Sequence, residues 1–173
     1  MTAAEEAPAQ LDVRGRVDPA RFGEALAAFC TPVAVVTSHL DGRPHGATVT
    51  AFCSLSSAPP LIQVALDSRS ELPGLLRDAG SYALNVLAAG QQHLATSFGG
   101  GSPDFADVPW SLAHGVPRID GVAGWILCRL EDLLPGGDHL IAVGHVVHVE
   151  TRDAAPLLRR GQTFGTLASL PAS

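Results

Sequence analysis

The stretch Val33-Ala34-Val35-Val36-Thr37-Ser38-His39-Leu40-Asp41-Gly42-Arg43-Pro44-His45-Gly46-Ala47-Thr48-Val49-Thr50-Ala51-Phe52-Cys53-Ser54-Leu55 decides the fold. Val33 to Thr37 and Gly46 to Leu55 are rich in β-branched and aromatic residues, which suit a pleated surface. Between them Asp41-Gly42 supplies the two-residue turn signal that joins strands tightly. The economical reading is a β-hairpin. Working back toward the N-terminus, Asp18-Pro19 reads as an N-cap followed by proline at the first helical position. Phe22, Ala25, Leu26 and Phe29 then share one face of a short amphipathic helix ending near Cys30. Residues 1–17 lack a period and read as a flexible lead-in to one domain over 18–173.

Working toward the C-terminus, Pro59-Pro60 punctuates the chain before Leu61-Ile62-Gln63-Val64-Ala65-Leu66. This third strand is mostly apolar, so burial on both faces is expected. Ser70 to Asp78 predicts a short helix, Tyr82 to Leu87 a strand, and Gln91 to Phe98 another helix. Gly99 to Pro117, with its glycine run and prolines, is expected to hold no regular structure for long. Gly121 to Leu133 and His139 to Glu150 read as two strands joined by Pro135-Gly136-Gly137-Asp138, and Pro156 to Leu167 closes the domain. Strands follow one another directly instead of alternating with helices, so a mainly β, closed antiparallel barrel with a few short helices is predicted over a doubly wound parallel sheet.

The chain has 173 residues, 46% apolar and 16% charged, enough for one buried core and too apolar for general disorder. No apolar run approaches the roughly 20 residues needed to span a bilayer. Residues 1–10 carry no basic and apolar leader pattern, so no membrane association is expected and the default location is cytoplasmic. The net charge is −6, with scattered arginines, so no nucleic-acid partner is expected. Lysine is absent, which excludes Schiff-base chemistry and a P-loop lysine. Any bound phosphate must rest on arginine, hydroxyls or backbone N–H groups. Cys30, Cys53 and Cys128 are widely spaced and read as reduced core residues.

The common nucleotide, acyl-transfer and zinc-protease motifs are missing. Of seven histidines, His139, His145 and His148 fall on one predicted strand, where alternation puts the first two on one face and His148 on the other. No metal site is expected from them. Thr48 to Ser57 threads hydroxyls along a strand and into a turn, either as ordinary β and turn residues or as a wall beside a flat hydrogen-bonding ligand. Ser68-Arg69-Ser70, at the start of a predicted helix, reads either as a serine cap or as a phosphate seat.

The segments Phe29 to Thr37, Asp41-Gly42, Gly46 to Ser56 and Pro59-Pro60-Leu61 resemble the flavin reductase component of two-component flavin-dependent monooxygenases. Asn85-Val86-Leu87, Gln91 to Phe98, Gly115-Val116-Pro117, Cys128, Gly137-Asp138-His139, Gly144 and Pro156-Leu157-Leu158 follow in the same order as that family's landmarks. The resemblance implies an FMN-binding split β-barrel, antiparallel and Greek-key-like. It also implies a homodimer with flavin near the subunit interface, reduction of FMN or FAD by NADH or NADPH, and a monooxygenase that receives the reduced flavin. Carried over by position, Thr31, Pro32, Val33, Thr48, Val49, Thr50, Ala51, Ser54, Leu55 and Ser56 would line the flavin ring and ribityl chain. Ser68, Arg69 and Ser70 would meet the phosphate, Phe98 and Gly99 would border the pocket, and His139 would position the nicotinamide. Thr50-Ala51 departs from a frequent Asn-Ser, which restricts any contact at Ala51 to the backbone or removes it. His145 stands where arginine is frequent. The alternatives are a flavin carrier without reductase activity, a flavoenzyme with tightly bound FMN, and a histidine-metal enzyme.

Overall fold

The computed structural model describes residues 15, 17–100 and 105–168. The predicted lead-in lies almost entirely outside them. Helix α1 runs Pro19–Leu26 and begins as expected, the Asp18 side chain accepting from the Ala20 N–H at 2.9 Å. Its apolar face is not covered, however: Phe22, Leu26 and Phe29 are 56%, 43% and 60% exposed. Strand β1 (Cys30–Pro32) leads into the hairpin of β2 (Ala34–Leu40) and β3 (Arg43–Val49). Asp41 and Gly42 both take positive φ at its tip, as a turn that matches strand twist requires.

The second arm of the predicted hairpin is not one strand. It stops at Val49 and restarts as β4 (Phe52–Ser57), which turns into β5 (Pro60–Asp67). Then come α2 (Leu72–Ala79), β6 (Ser81–Val86), α3 (Gln92–Ser97), β7 (Trp110–Ala113), β8 (Val116–Ile119), β9 (Gly124–Gly136), β10 (His139–Thr151), β11 (Leu157–Arg160) and β12 (Thr163–Thr166). The main sheet has seven antiparallel strands in the order β3-β2-β6-β9-β10-β5-β4.

That order dictates the shape. β3 and β4 are consecutive in the chain yet sit at opposite sheet edges. In a flat sheet, strand spacings of about 4.8 Å would hold those edges roughly 29 Å apart. The links from Val49 to Phe52 reach at most about 11 Å. The sheet therefore curls until its edges approach, and the chain steps across the gap at Thr50-Ala51. No ladder joins β3 to β4, so the barrel is split and not closed as composition and strand sequence alone predicted.

Apolar residues collect on both sides of the curled sheet. Inside, Ala34, Val36, Val64, Leu66, Tyr82, Leu84, Cys128 and Ala142 pack with Leu72 and Leu76 of α2. Outside, Val33, Val35, Leu87, Trp125 and Leu127 pack under Phe98, Phe105 and the β7–β8 hairpin. β2 thus contributes side chains to both cores, and Val33 to Ser38 are all buried. β5 was the strand expected to be buried on both faces, but it alternates: Ile62, Val64 and Leu66 are buried while Leu61, Gln63 and Ala65 are half-buried, because β5 lies next to the edge. Asn85, fully buried in β6, ties the layers. It donates to the Val35 carbonyl at 3.2 Å and to Thr37 Oγ1 at 2.9 Å, and its Oδ1 accepts from the Ile119 N–H at 2.8 Å.

Other expectations need correction. The stretch after Gly99 includes the β7–β8 hairpin around His114-Gly115, with 101–104 outside the described residues. Only Cys128 is a core cysteine; Cys30 and Cys53 are exposed, on the short β1 strand and on edge strand β4. His148 does not oppose His145. An extra residue at Val147 shifts the β9–β10 register, so Val146 faces the inner core while His148 packs on Trp125 and His114 outside. Among the described residues no group of three side chains could hold a metal ion.

Candidate functional site

The step at Thr50-Ala51 opens a cleft of about 320 Å³, at the small end of the range for small-molecule sites. Thr48, Val49, Thr50 and Ala51 form one side. Ala65, Leu66 and Asp67 at the end of β5 form the other, with Leu72 of α2, Phe98-Gly99 after α3, and His139 at the start of β10 completing it. Eight of the residues singled out from sequence thus meet around one cleft: Thr48, Val49, Thr50, Ala51, Ser70, Phe98, Gly99 and His139. The elements that bring them together lie far apart in the chain.

Thr48 and its neighbours differ in what they offer. The Thr48 N–H donates to the Phe98 carbonyl at 3.0 Å and its hydroxyl to the Ala95 carbonyl at 2.8 Å. These two bonds clamp β3 to the end of α3 and hold Phe98 in the wall, so Thr48 is committed to the scaffold. The Ala51 carbonyl accepts from the Ala65 N–H at 2.9 Å, while the N–H groups of Thr50 and Ala51 have no acceptor among the described residues. Backbone donors seldom stay unpaired unless water or a ligand meets them. His139 Nδ1 lies 2.7 Å from Asp138 Oδ1. With Nδ1–H donating to that carboxylate, a neutral ring presents Nε2 as an acceptor. The hydrogen bond from His139 holds the Asp138 carboxyl below its ordinary value.

A wider recess of about 770 Å³ adjoins the cleft and shares Ala47, Asp67, Ser70 and Leu72 with it. Arg69 and Ser70 line it, but not at a helix N-terminus as predicted. Helix α2 starts at Leu72, and Glu71 at its N-cap makes no side-chain cap. The reason is Asp67, whose side chain and carbonyl take up the Arg69 and Ser70 donors and form a turn ahead of the helix. Hydrogen bonds from Arg69 hold the Asp67 carboxyl well below the usual carboxylate range. Ser68 donates through both its N–H and its hydroxyl to the Asp138 carbonyl, docking the β9–β10 turn beside His139.

The remaining candidates lie apart from the cleft. Ala34 pairs with Val49, so Thr31, Pro32 and Val33 run past the end of β3 toward β11. Ser54, Leu55 and Ser56 lie farther along edge strand β4, where a bulge at Leu55 breaks its ladder with β5. Sequence reading missed Asp67 and Asp138. An Asp two residues before Arg69 is an Asx-turn signal that could have flagged the first; adjacency to His139 could have flagged the second.

Residues 26–168, which include the curled split barrel and the cleft at the crossing between its edges, match the flavin reductase like domain, and the chain belongs to that family. It is 38% identical over 153 residues to the reductase subunit of a flavin-dependent monooxygenase from Rhodococcus jostii, covering 86% of this chain and 78% of that protein. It is 36% identical over 154 residues, 88% of each chain, to an FMN reductase (NADH) from Agrobacterium fabrum. Among solved structures, an NADH:FAD oxidoreductase from Streptomyces globisporus in complex with NAD and FAD fragments aligns with a TM-score of 0.84 at 30% identity. That alignment covers 91% of this chain and 99% of the other.

Proposed function

We propose that this protein is an NAD(P)H:flavin oxidoreductase that takes up FMN or FAD, reduces it with NADH or NADPH, and releases the reduced flavin to a partner monooxygenase. The observation that carries the reading is the cleft at Thr50-Ala51, where two backbone N–H groups with no acceptor among the described residues stand near apolar walls and His139. Val49, Leu66, Leu72 and Phe98 suit a flat ring. The N–H groups of Thr50 and Ala51 would meet the ring edge on which negative charge develops during reduction. Ser70 and Arg69 stand where a phosphate would reach, and His139 Nε2 would hold the nicotinamide carboxamide. When both are bound, the nicotinamide supplies a hydride to the flavin, so the protein's task is to align two rings and exclude water. No general base is needed.

Thr31, Pro32 and Ser54 to Ser56 would contribute through a homodimer, in which the exposed β4 edge and the exposed face of α1 find partners, whereas Val33 is buried in the outer core and would act only as scaffold. The enzyme would work in the cytoplasm, where nicotinamide cofactor is available; among the described residues no helix is long and apolar enough to cross a membrane. The test is NADH and NADPH oxidation followed at 340 nm with and without FMN, FAD or riboflavin. Turnover that depends on added flavin is expected. Flavin binding without turnover would make the protein a carrier, and absence of both would overturn the reading.

A further inference from the structure

The polar end of the cleft carries more negative than positive charge. Asp67 engages Arg69 three times: Oδ1 accepts from the Arg69 backbone N–H at 2.9 Å and from Nε at 3.0 Å, and Oδ2 accepts from Nη2 at 2.8 Å. The Nε–Nη2 edge of the guanidinium, one of the two that could grip a phosphate in a fork, is therefore already occupied by a carboxylate of the same turn, which leaves the Nη1–Nη2 edge beside that negative charge. Glu71 lines the same recess. Asp138 is near enough for its charge to act on Arg69. The serines are committed as well, Ser68 to the Asp138 carbonyl and Ser70 to the Asp67 carbonyl, each at 2.8 Å.

We propose that Asp67 sets the specificity of this site by occupying Arg69, holding affinity for the flavin phosphate low so that flavin exchanges as a substrate and is not retained. The inference rests on the reductase reading and on the Ser68–Ser70 end taking the phosphate. An arriving phosphate either displaces Asp67 from Arg69 or sits beside its charge, and in both cases loses part of the attraction that a free arginine would give. Asp67 borders the cleft, but its hold on Arg69 bears on a phosphate and not on the neutral ring. Riboflavin, which lacks the phosphate, is therefore the internal control.

Asp67→Asn keeps an oxygen for the Arg69 N–H and removes the charge. Dissociation constants for FMN and riboflavin would be measured by flavin fluorescence in low salt and in high salt, for wild type, D67N and D67N/R69A. D67N should bind FMN about two- to fivefold more tightly, the range of one exposed ion pair, with the gain shrinking in high salt. Riboflavin binding should change less than FMN binding, the circular dichroism spectrum should match wild type, and D67N/R69A should lose the FMN gain. Equal tightening of FMN and riboflavin, or no change for either, overturns the inference. Weaker FMN binding overturns it too and would make Asp67 a residue that positions Arg69. Failure of wild type to bind any flavin overturns the reductase reading itself, a result distinct from flavin turnover without a phosphate-dependent effect of D67N.

Discussion

Gly144 lies in β10 opposite Leu130, where the curled sheet presses the Tyr82 ring against the strand. A Cβ added there would collide with the Tyr82 hydroxyl and would stand 2.8 Å from both Tyr82 Cζ and Cys128 Cβ. Carbon atoms in good contact sit about 3.5–4.0 Å apart, so the overlap is roughly 0.7 Å against two groups with little room to yield. Cys128 Cβ is anchored to β9, and Tyr82 is fully buried. Gly144→Ala should therefore fall at the upper end of overpacking costs, about 3 kcal/mol. For a domain of this size that lowers Tm by about 6–12 °C. Tyr82→Phe provides the second arm. Its hydroxyl is buried and, among the described residues, makes no well-formed hydrogen bond, having only the weakly polar Cys128 thiol beside it, and burial raises its pKa far above the ordinary tyrosine value. Removing it should cost little, since a thiol is a weak partner, and should relieve one of the contacts, so the G144A/Y82F double variant should recover part of the lost Tm. Thermal unfolding followed by circular dichroism measures all three. A G144A protein that melts within 1 °C of wild type, or a double variant no better than G144A, would refute the argument.

Asn85→Leu would strip the acceptor from the buried Ile119 N–H and the donor from the Val35 carbonyl. It should cost about 2 kcal/mol or more in urea unfolding; a loss under about 0.5 kcal/mol would contradict the bridging role. His139→Ala should raise the apparent KM for NAD(P)H more than that for flavin in the 340 nm assay, and equal effects would remove His139 from the nicotinamide end. Asp67, Asp138 and Glu131 are held below their ordinary values by hydrogen bonds from Arg69, His139 and Arg129 respectively. Such groups favour the folded state above their unfolded values of 3.8 for Asp and 4.5 for Glu and lose that contribution as pH falls through the lower folded values. Tm should therefore decline below about pH 4.5 and do so less steeply in D67N. A wild-type Tm that stays level from pH 5 to pH 2 would contradict this.

The sequence by itself determined what depends on neighbours a few residues away. The Asp18-Pro19 helix start, the Asp41-Gly42 turn and the long hairpin through Gly137 form where they were read, because caps, turns and strand alternation are set locally. The resemblance carried the split barrel and the flavin chemistry. It also named Thr48 to Ala51, Phe98, Gly99 and His139, which the fold gathers into one cleft. Tertiary structure alone decided that the arm from Gly46 to Leu55 breaks at Thr50-Ala51, since the break exists only because β3 and β4 are sent to opposite sheet edges. It alone turned His148 outward, through one extra residue against β9, and left Cys30 and Cys53 exposed. It also paired Asp67 with Arg69 and set the β9–β10 turn beside them through Ser68. Pairings between distant strands place these groups, and no local window of sequence contains the partner strand.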